Sequence, residues 1–170
     1  MITKEEIKFL ISEKKLIENY INLDKQLTPN GLDLTVGRVF EFDAPGALDF
    51  SNSERVVPAG LELPPQKAVP ADKYGWWDLN KGAYKVRTNE VVNLPNNLAA
   101  LAFSRTSLLR MGAFTQNGVW DVGFQGRGEF ILVVENAQGI KLKENARIVQ
   151  LVFFATEETQ GYNGIYKNLK

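Results

Sequence analysis

Cysteine and histidine are both absent from this chain of 170 residues. Without cysteine there are no disulfides, no thiolate metal sites and no sulfur nucleophile. Without histidine the usual general base near neutral pH and the usual zinc ligand are gone as well. Acid–base chemistry therefore falls to Asp, Glu, Lys or Tyr. An excess of charge is also missing, since 20 basic residues balance 20 acidic ones. Whole-molecule charge thus gives no reason to expect nucleic acid or an anionic membrane as partner, and a phosphate site has to be local. No apolar run reaches the length of a bilayer span. The opening Met1-Ile2-Thr3-Lys4-Glu5-Glu6 is too acidic for a signal peptide, so a cytoplasmic protein is expected.

What is present suffices for one domain, 1–170, with a sizeable core. Thr3 and Glu6 have capping-box spacing, and Ile7, Leu10, Ile11 and Lys14 follow a helical stripe. A helix from Thr3 to about Leu16 is expected, packed on the side of a β domain. Alternation then predicts strands at Leu32–Val36 and Arg38–Phe42, and further short strands are read at Tyr84–Arg87, Val91-Val92, Leu98–Phe103, Glu129–Val134, Ile140–Leu142 and Arg147–Ala155. Residues 43–70, rich in Pro, Gly and Ala, read as a long irregular connection with two short strands. Many short strands with Gly, Pro and Asn turns indicate a mainly β fold: a sandwich, jelly roll or distorted barrel. The segment 160–170 reads as a mobile tail whose tyrosines dock somewhere. Trp76 and Trp77 read as core or as a subunit interface.

Four segments carry chemistry. The first, Thr28 to Gly37, is a turn into a strand, with Asp33 either a turn residue or a functional acid. The second, Ser104 to Gly112, places Arg105, Thr106, Ser107 and Arg110 just after an apolar strand. Hydroxyls and guanidinium groups there suit phosphate oxygens, and equally suit a capped, solvated helical turn. The third, Gln116 to Gly126, has Asn117-Gly118 as a hairpin turn signal. Asp121 follows between Trp120 and Phe124, where a buried carboxylate needs a task or a partner. In the fourth, Asn145 to Phe154, Arg147 and Gln150 interrupt an apolar strand, as edge-facing polar residues often do.

Together and in this order, the four segments resemble the superfamily of the trimeric dUTPases and the dCTP deaminases, nearest to archaeal-type deaminase-like dUTPases. The resemblance covers nearly the whole chain. It also takes in Leu94-Pro95 ahead of the second segment and Gly161–Lys167 in the tail. It implies a distorted, jelly-roll-like β-barrel with an N-terminal helix, assembled as a homotrimer with active sites between subunits. It implies hydrolysis of dUTP to dUMP and pyrophosphate, with Asp121 as the base that activates water. Arg105, Thr106, Ser107 and Arg110 then form the phosphate loop, and Gln150 reaches the phosphates from a neighbouring chain. Gln116, Asn117 and Gly118 read the base, while Phe124 packs on the deoxyribose and excludes a 2′-hydroxyl. Tyr162, Tyr166 and Lys167 of the tail complete the substrate contacts, with Lys167 standing in for a family Lys expected at Ile165. Mg²⁺ is implied on the triphosphate, and Asp33 matches an acid that supports the metal through water.

The deaminases of this superfamily rely on a Glu ten residues beyond the position of Asp121. Counting forward reaches Ile131, and counting back from Asn136 reaches Val133, so the deaminase acid is missing on either count. Glu129 shares their side-chain parity and is expected either to face the site or to support a bulge at Gly126-Arg127-Gly128. A deaminase or bifunctional enzyme, and a non-catalytic nucleotide-binding module, remain the alternatives.

Overall fold

The computed structural model describes residues 1–169; Lys170, the last residue of the expected tail, lies outside them. Helix α1 (Lys4–Lys14) begins where the capping box predicts. The Thr3 hydroxyl accepts from the Glu6 N–H, and the Glu6 carboxylate accepts from the Thr3 N–H at 2.7 Å. Ile7 and Ile11, one helical turn apart, are buried against the barrel with Ile2, whose N–H donates to the Phe153 carbonyl at 3.0 Å.

Strand β1 (Ile17–Glu18), the short helix α2 (Leu23–Gln26) and β2 (Leu27–Thr28) lead into the long strand β3 (Gly31–Glu41). Next come β4 (Leu61–Leu63), β5 (Trp76–Leu79), β6 (Gly82–Asn93) and β7 (Leu98–Ser104). Helix α3 (Thr106–Arg110), β8 (Ala113–Gln116), β9 (Gln125–Val134), β10 (Ile140–Lys143) and β11 (Arg147–Ala155) complete the described order. A 9-stranded antiparallel sheet follows the path β7-β11-β3-β6-β9-β8, with β1 added to β6 and with β2 and β4 added to β3. The ends of the path meet through a side chain. The Ser104 hydroxyl of β7 accepts the Thr115 N–H of β8 at 2.7 Å and donates to the Thr115 carbonyl at 3.1 Å. The result is a nearly closed barrel, as the mainly β reading expects. A separate pair, β5 with β10, covers one end. It buries Trp77, whose indole N–H donates to the Leu63 carbonyl at 2.7 Å, while Trp76 stays partly exposed under Lys143.

Three expectations change. The strands read at 32–36 and 38–42 are one, because β3 continues through an irregularity between Val36 and Arg38. Gly37 permits this: a Cβ there would stand 2.6 Å from Oδ1 of Asn89. Arg147 and Gln150 do not face an edge, since β11 lies inside the sheet between β7 and β3. The apolar strand ahead of the second segment, β7, is not buried throughout, for it leaves Leu101 and Phe103 exposed on one face.

One apolar cluster joins α1 to the barrel through Leu16, Ile17, Leu32, Leu34, Leu94 and Phe153; a second centres on Val39, Val86, Leu132 and Val149. A polar group is buried beside them. The Glu90 carboxylate accepts from the Thr35 N–H at 2.9 Å, the Thr35 hydroxyl at 2.6 Å and the Gln26 amide at 2.8 Å. Gln26 in turn caps the start of α2 by accepting from the N–H groups of Ile21 and Asn22.

Candidate active site

The loop between β8 and β9 builds the site. The ladder of these strands ends at Gln116 opposite Ile131, and residues 117–124 then leave the sheet. Asn117-Gly118 is thus not a tight hairpin turn. The type I′ geometry its sequence favours needs positive φ at both residues, and neither has it. The loop is pinned instead by Trp120, which exchanges two backbone hydrogen bonds with Ala100 of β7, at 3.0 and 2.9 Å. Its indole lies over Gly128, where a Cβ would stand 2.5 Å from Cη2 of the ring. Phe124 meets Trp120 edge-on at 5.2 Å. The Asp121 carbonyl accepts from the Phe124 N–H at 3.1 Å, closing a turn that puts the Asp121 side chain at the surface. The expected burial of Asp121 between the two rings does not occur: the rings pack on each other and the carboxylate is exposed.

Beside this loop lies a cavity of about 390 Å³. Its walls are Asn117 to Asp121 and Phe124 on one side, and Arg127, Glu129 and Ile131 of β9 on another. Lys85 of β6, Phe42 and Val57 close a third. Asn117 contributes a buried side-chain oxygen that has no hydrogen-bond partner among the described residues. Such an acceptor is costly unless a donor reaches it.

Glu129 lines the cavity, on the same wall as Ile131. Its carboxylate accepts from Nη2 of Arg87 at 3.0 Å and lies 3.7 Å from Nζ of Lys85. Lys85 also donates to the carbonyls of Pro58 and Ala59. The expected bulge at Gly126-Arg127-Gly128 belongs to the partner strand. Arg87 pairs with Glu129 and Val91 with Arg127, so Thr88, Asn89 and Glu90 of β6 face Gly128 alone. Sequence reasoning missed Lys85 and Arg87. Their alternation with Tyr84 and Val86 put them on one face, but only the β6–β9 pairing shows which face meets the cavity.

The tail is docked in this chain. The Tyr162 N–H donates to the Val122 carbonyl at 2.7 Å, and the Asn168 N–H to the Gln125 carbonyl at 2.6 Å. The Leu169 carbonyl accepts from the Arg127 N–H at 2.9 Å. Gly126 admits this contact with φ 142°, where a Cβ would sit 2.9 Å from the Leu169 nitrogen. Tyr162, Tyr166 and Leu169 line the cavity, and the Tyr162 ring stands 5.8 Å from Phe124. Lys167 and Ile165 are exposed and do not line it.

The remaining expected residues gather elsewhere. Thr106, Ser107 and Arg110 are exposed on α3, and Gln116 is exposed at the end of β8; none of these lines the cavity. Arg105 precedes α3, and its Nε lies 2.8 Å from the Asp33 carboxylate. Nη1 of Arg147 reaches the same carboxylate oxygen at 3.3 Å and also donates to the Lys25 carbonyl. The Asp33 side chain is only 2% exposed. Burial pushes its carboxyl above the usual range, and the charges of Arg105 and then Arg147 pull it back in part. Nε2 of Gln150 donates to the Thr28 hydroxyl at 2.7 Å. Among the described residues no three Asp or Glu come together as a metal site, so these side chains do not fit a protein-held magnesium ion. No described helix is long and apolar enough to cross a membrane.

A family model described as dCTP deaminase-like matches residues 1–156. The chain is 45% identical over 171 residues to the probable deoxyuridine 5′-triphosphate nucleotidohydrolase of Methanosarcina mazei, covering 99% of this chain and 96% of that one. It is 42% identical to the protein of the same name from Archaeoglobus fulgidus, covering 98% and 95%. It is 36% identical to the deoxyuridine 5′-triphosphate nucleotidohydrolase of Methanocaldococcus jannaschii, covering 85% and 88%. Among solved structures, the 2′-deoxycytidine 5′-triphosphate deaminase of Agrobacterium tumefaciens superposes with a TM-score of 0.60 at 20% identity, over 89% of this chain. The match spans 46% of that protein's length, and at this identity the likeness concerns the fold alone.

Proposed function

The chain belongs to the dCTP deaminase-like family, and from that premise we propose that it hydrolyses dUTP to dUMP and pyrophosphate. One observation carries the choice within the family. The cavity lined by Asp121 has Ile131 at one of the two positions where the resemblance puts the deaminase acid, and the other position, Val133, is not an acid either. Asp121 accepts a proton from a water molecule as its oxygen forms a bond to the α-phosphorus. The bond from that phosphorus to the bridging oxygen breaks, and pyrophosphate leaves. A carboxylate is a weak base, so positioning and charge stabilisation supply most of the rate. Phe124 packs on the deoxyribose. The segment Gln116–Gly118 reads the base edge, where exchange of the uracil O4 for an amino group leaves polar groups unpaired. A magnesium ion bound with the triphosphate would offset its charge, held by the nucleotide and not by an acid cluster of the described residues.

The phosphate loop at Arg105–Arg110 lies outside the cavity of its own chain. A homotrimer, in which a neighbour presents that loop and Gln150 to the cavity, supplies what one chain lacks. Exposed Leu101, Phe103, Leu109 and Phe114 on β7, α3 and β8 give such an assembly an apolar face. A soluble nucleotide substrate fits work in the cytoplasm.

Deamination of dCTP is the second reading, because Glu129 reaches the same cavity. Its carboxylate is already taken up by cations of its own chain, Arg87 at 3.0 Å and Lys85 at 3.7 Å, and is not left to hold a water for attack on C4. Product analysis separates the two. Pyrophosphate from dUTP in the presence of Mg²⁺, without ammonia from dCTP, is the expected result. Ammonia release from dCTP at a comparable rate makes the chain bifunctional, and ammonia without pyrophosphate removes the hydrolase reading.

A further inference from the structure

We propose that Asp33 is a positioning residue, whose buried carboxylate holds Arg105 and Arg147 side by side as one cationic face toward the triphosphate. The proposal rests on reading Arg105–Arg110 as the phosphate loop, and it adds Arg147 to the residues that meet phosphate.

The geometry is that of a clamp. A single Asp33 oxygen takes Nε of Arg105 at 2.8 Å and Nη1 of Arg147 at 3.3 Å. The two arginines are also tied to each other, since Nη1 of Arg105 donates to the Arg147 carbonyl at 3.3 Å. Arg147 donates further to the Lys25 carbonyl. The carboxylate below is closed to solvent, whereas the side chains above it are 29% and 38% exposed. Two cations over one anion leave one positive charge at the surface. The guanidinium groups are ordered before any ligand arrives, so less freedom is lost when they bind one.

The clamp is itself anchored. The Gln26 amide donates to the Asp33 carbonyl at 2.9 Å and to Glu90 at 2.8 Å. Strand β3 at Asp33 is thereby fixed to β6 and α2, and Arg105 is the residue from which α3 departs. A carboxylate so enclosed is inaccessible to the waters of a hydrated metal ion, which separates this role from the metal support that the family resemblance implies for Asp33.

The test is Asp33→Asn, which keeps the shape and removes the charge. KM for dUTP and the inhibition constant for pyrophosphate should both rise roughly tenfold or more, since a charge-assisted contact is lost. The turnover number should stay within about threefold, and the half-saturating Mg²⁺ concentration should not move. A merely structural residue would lower the melting temperature without this split. Unchanged KM and pyrophosphate inhibition overturn the proposal. So does a loss confined to turnover with a shift in Mg²⁺ demand. A fall in KM, the result of simply adding positive charge, overturns it too. Should Asp33→Asn not fold, Arg147→Lys keeps the charge and loses the fork; the same rise in both constants is expected, and no rise refutes the clamp. Ser107→Ala tests the underlying reading. If it weakens pyrophosphate binding while the Asp33 and Arg147 variants do not, only the clamp fails. If it too leaves pyrophosphate binding unchanged, the loop assignment fails with it.

Discussion

Three carboxylates near the proposed chemistry have three fates, and their surroundings decide which. Asp121 is exposed on the cavity rim. Glu129, on the wall of the same cavity, is paired with Arg87 and Lys85. Asp33 is buried under two arginines. The first has access to a water and to substrate, the second is tied to two cations of its own chain, and the third is sealed. Asp121→Asn should therefore cut turnover of dUTP about a thousandfold, the middle of the range for removing a general base. KM should change by less than about threefold, because the amide fills the same space. Steady-state pyrophosphate release with a melting-temperature control measures both. Full turnover in that variant would show that another group moves the proton.

At the scale of elements, legibility follows the range of the forces involved. Helix α1 was legible because its capping box and its Ile7 and Ile11 stripe are local. The loop after β8 was misread, because Asn117-Gly118 favours a tight turn in isolation but Trp120 is pinned to β7, a distant strand. Lys85 and Glu129 were visible as residues, but their meeting depends on the register of β6 with β9. Glu90 gave no signal either, since nothing in Thr88-Asn89-Glu90 marks a fully buried acid that ties α2 to β3. Burial raises its carboxyl above the ordinary value, in spite of hydrogen bonds from Thr35 and Gln26 that act to lower it. A carboxyl that holds its proton more tightly when folded stabilises the fold below the ordinary carboxylate range. That contribution is lost as pH rises through the raised value, at up to about 1.4 kcal/mol per pH unit. Glu90→Gln cannot ionise, so its stability relative to the parent chain should improve steadily as pH rises through that window, whatever constant cost the amide brings. Urea unfolding at a series of pH values between acid and neutral reads the difference. Parallel stability profiles for the two proteins would show that Glu90 does not change its protonation there.

At the scale of the whole molecule, the question is why residues of one proposed reaction lie in two places. The cavity holds Asn117, Asp121, Phe124 and the tail tyrosines, while Arg105, Thr106, Ser107 and Gln150 face elsewhere. One chain also leaves Phe103 55% and Leu109 52% exposed next to that second group. Apolar surface beside the proposed phosphate loop is what a site shared between copies requires, since burying the first would bring the second to a neighbour's cavity. Sharing has a consequence that a site within one chain cannot imitate. Asp121→Asn spoils the cavity half, and Ser107→Ala spoils the loop half. When the two variants are unfolded together and refolded as an equal mixture, and assayed at a dUTP concentration too low for the Ser107→Ala protein to work, a cavity has an even chance of keeping its Asp121 and its neighbour an even chance of keeping Ser107. About a quarter of the parental activity should return if the halves come from different chains of a closed assembly. If both halves belong to one chain, every site in the mixture carries one defect or the other, and activity stays at the level of the separate variants. A charge introduced into the apolar face, Phe103→Asp, should abolish that recovery and give a monomer by light scattering. Activity retained by such a monomer would mean that the loop reaches the cavity of its own chain.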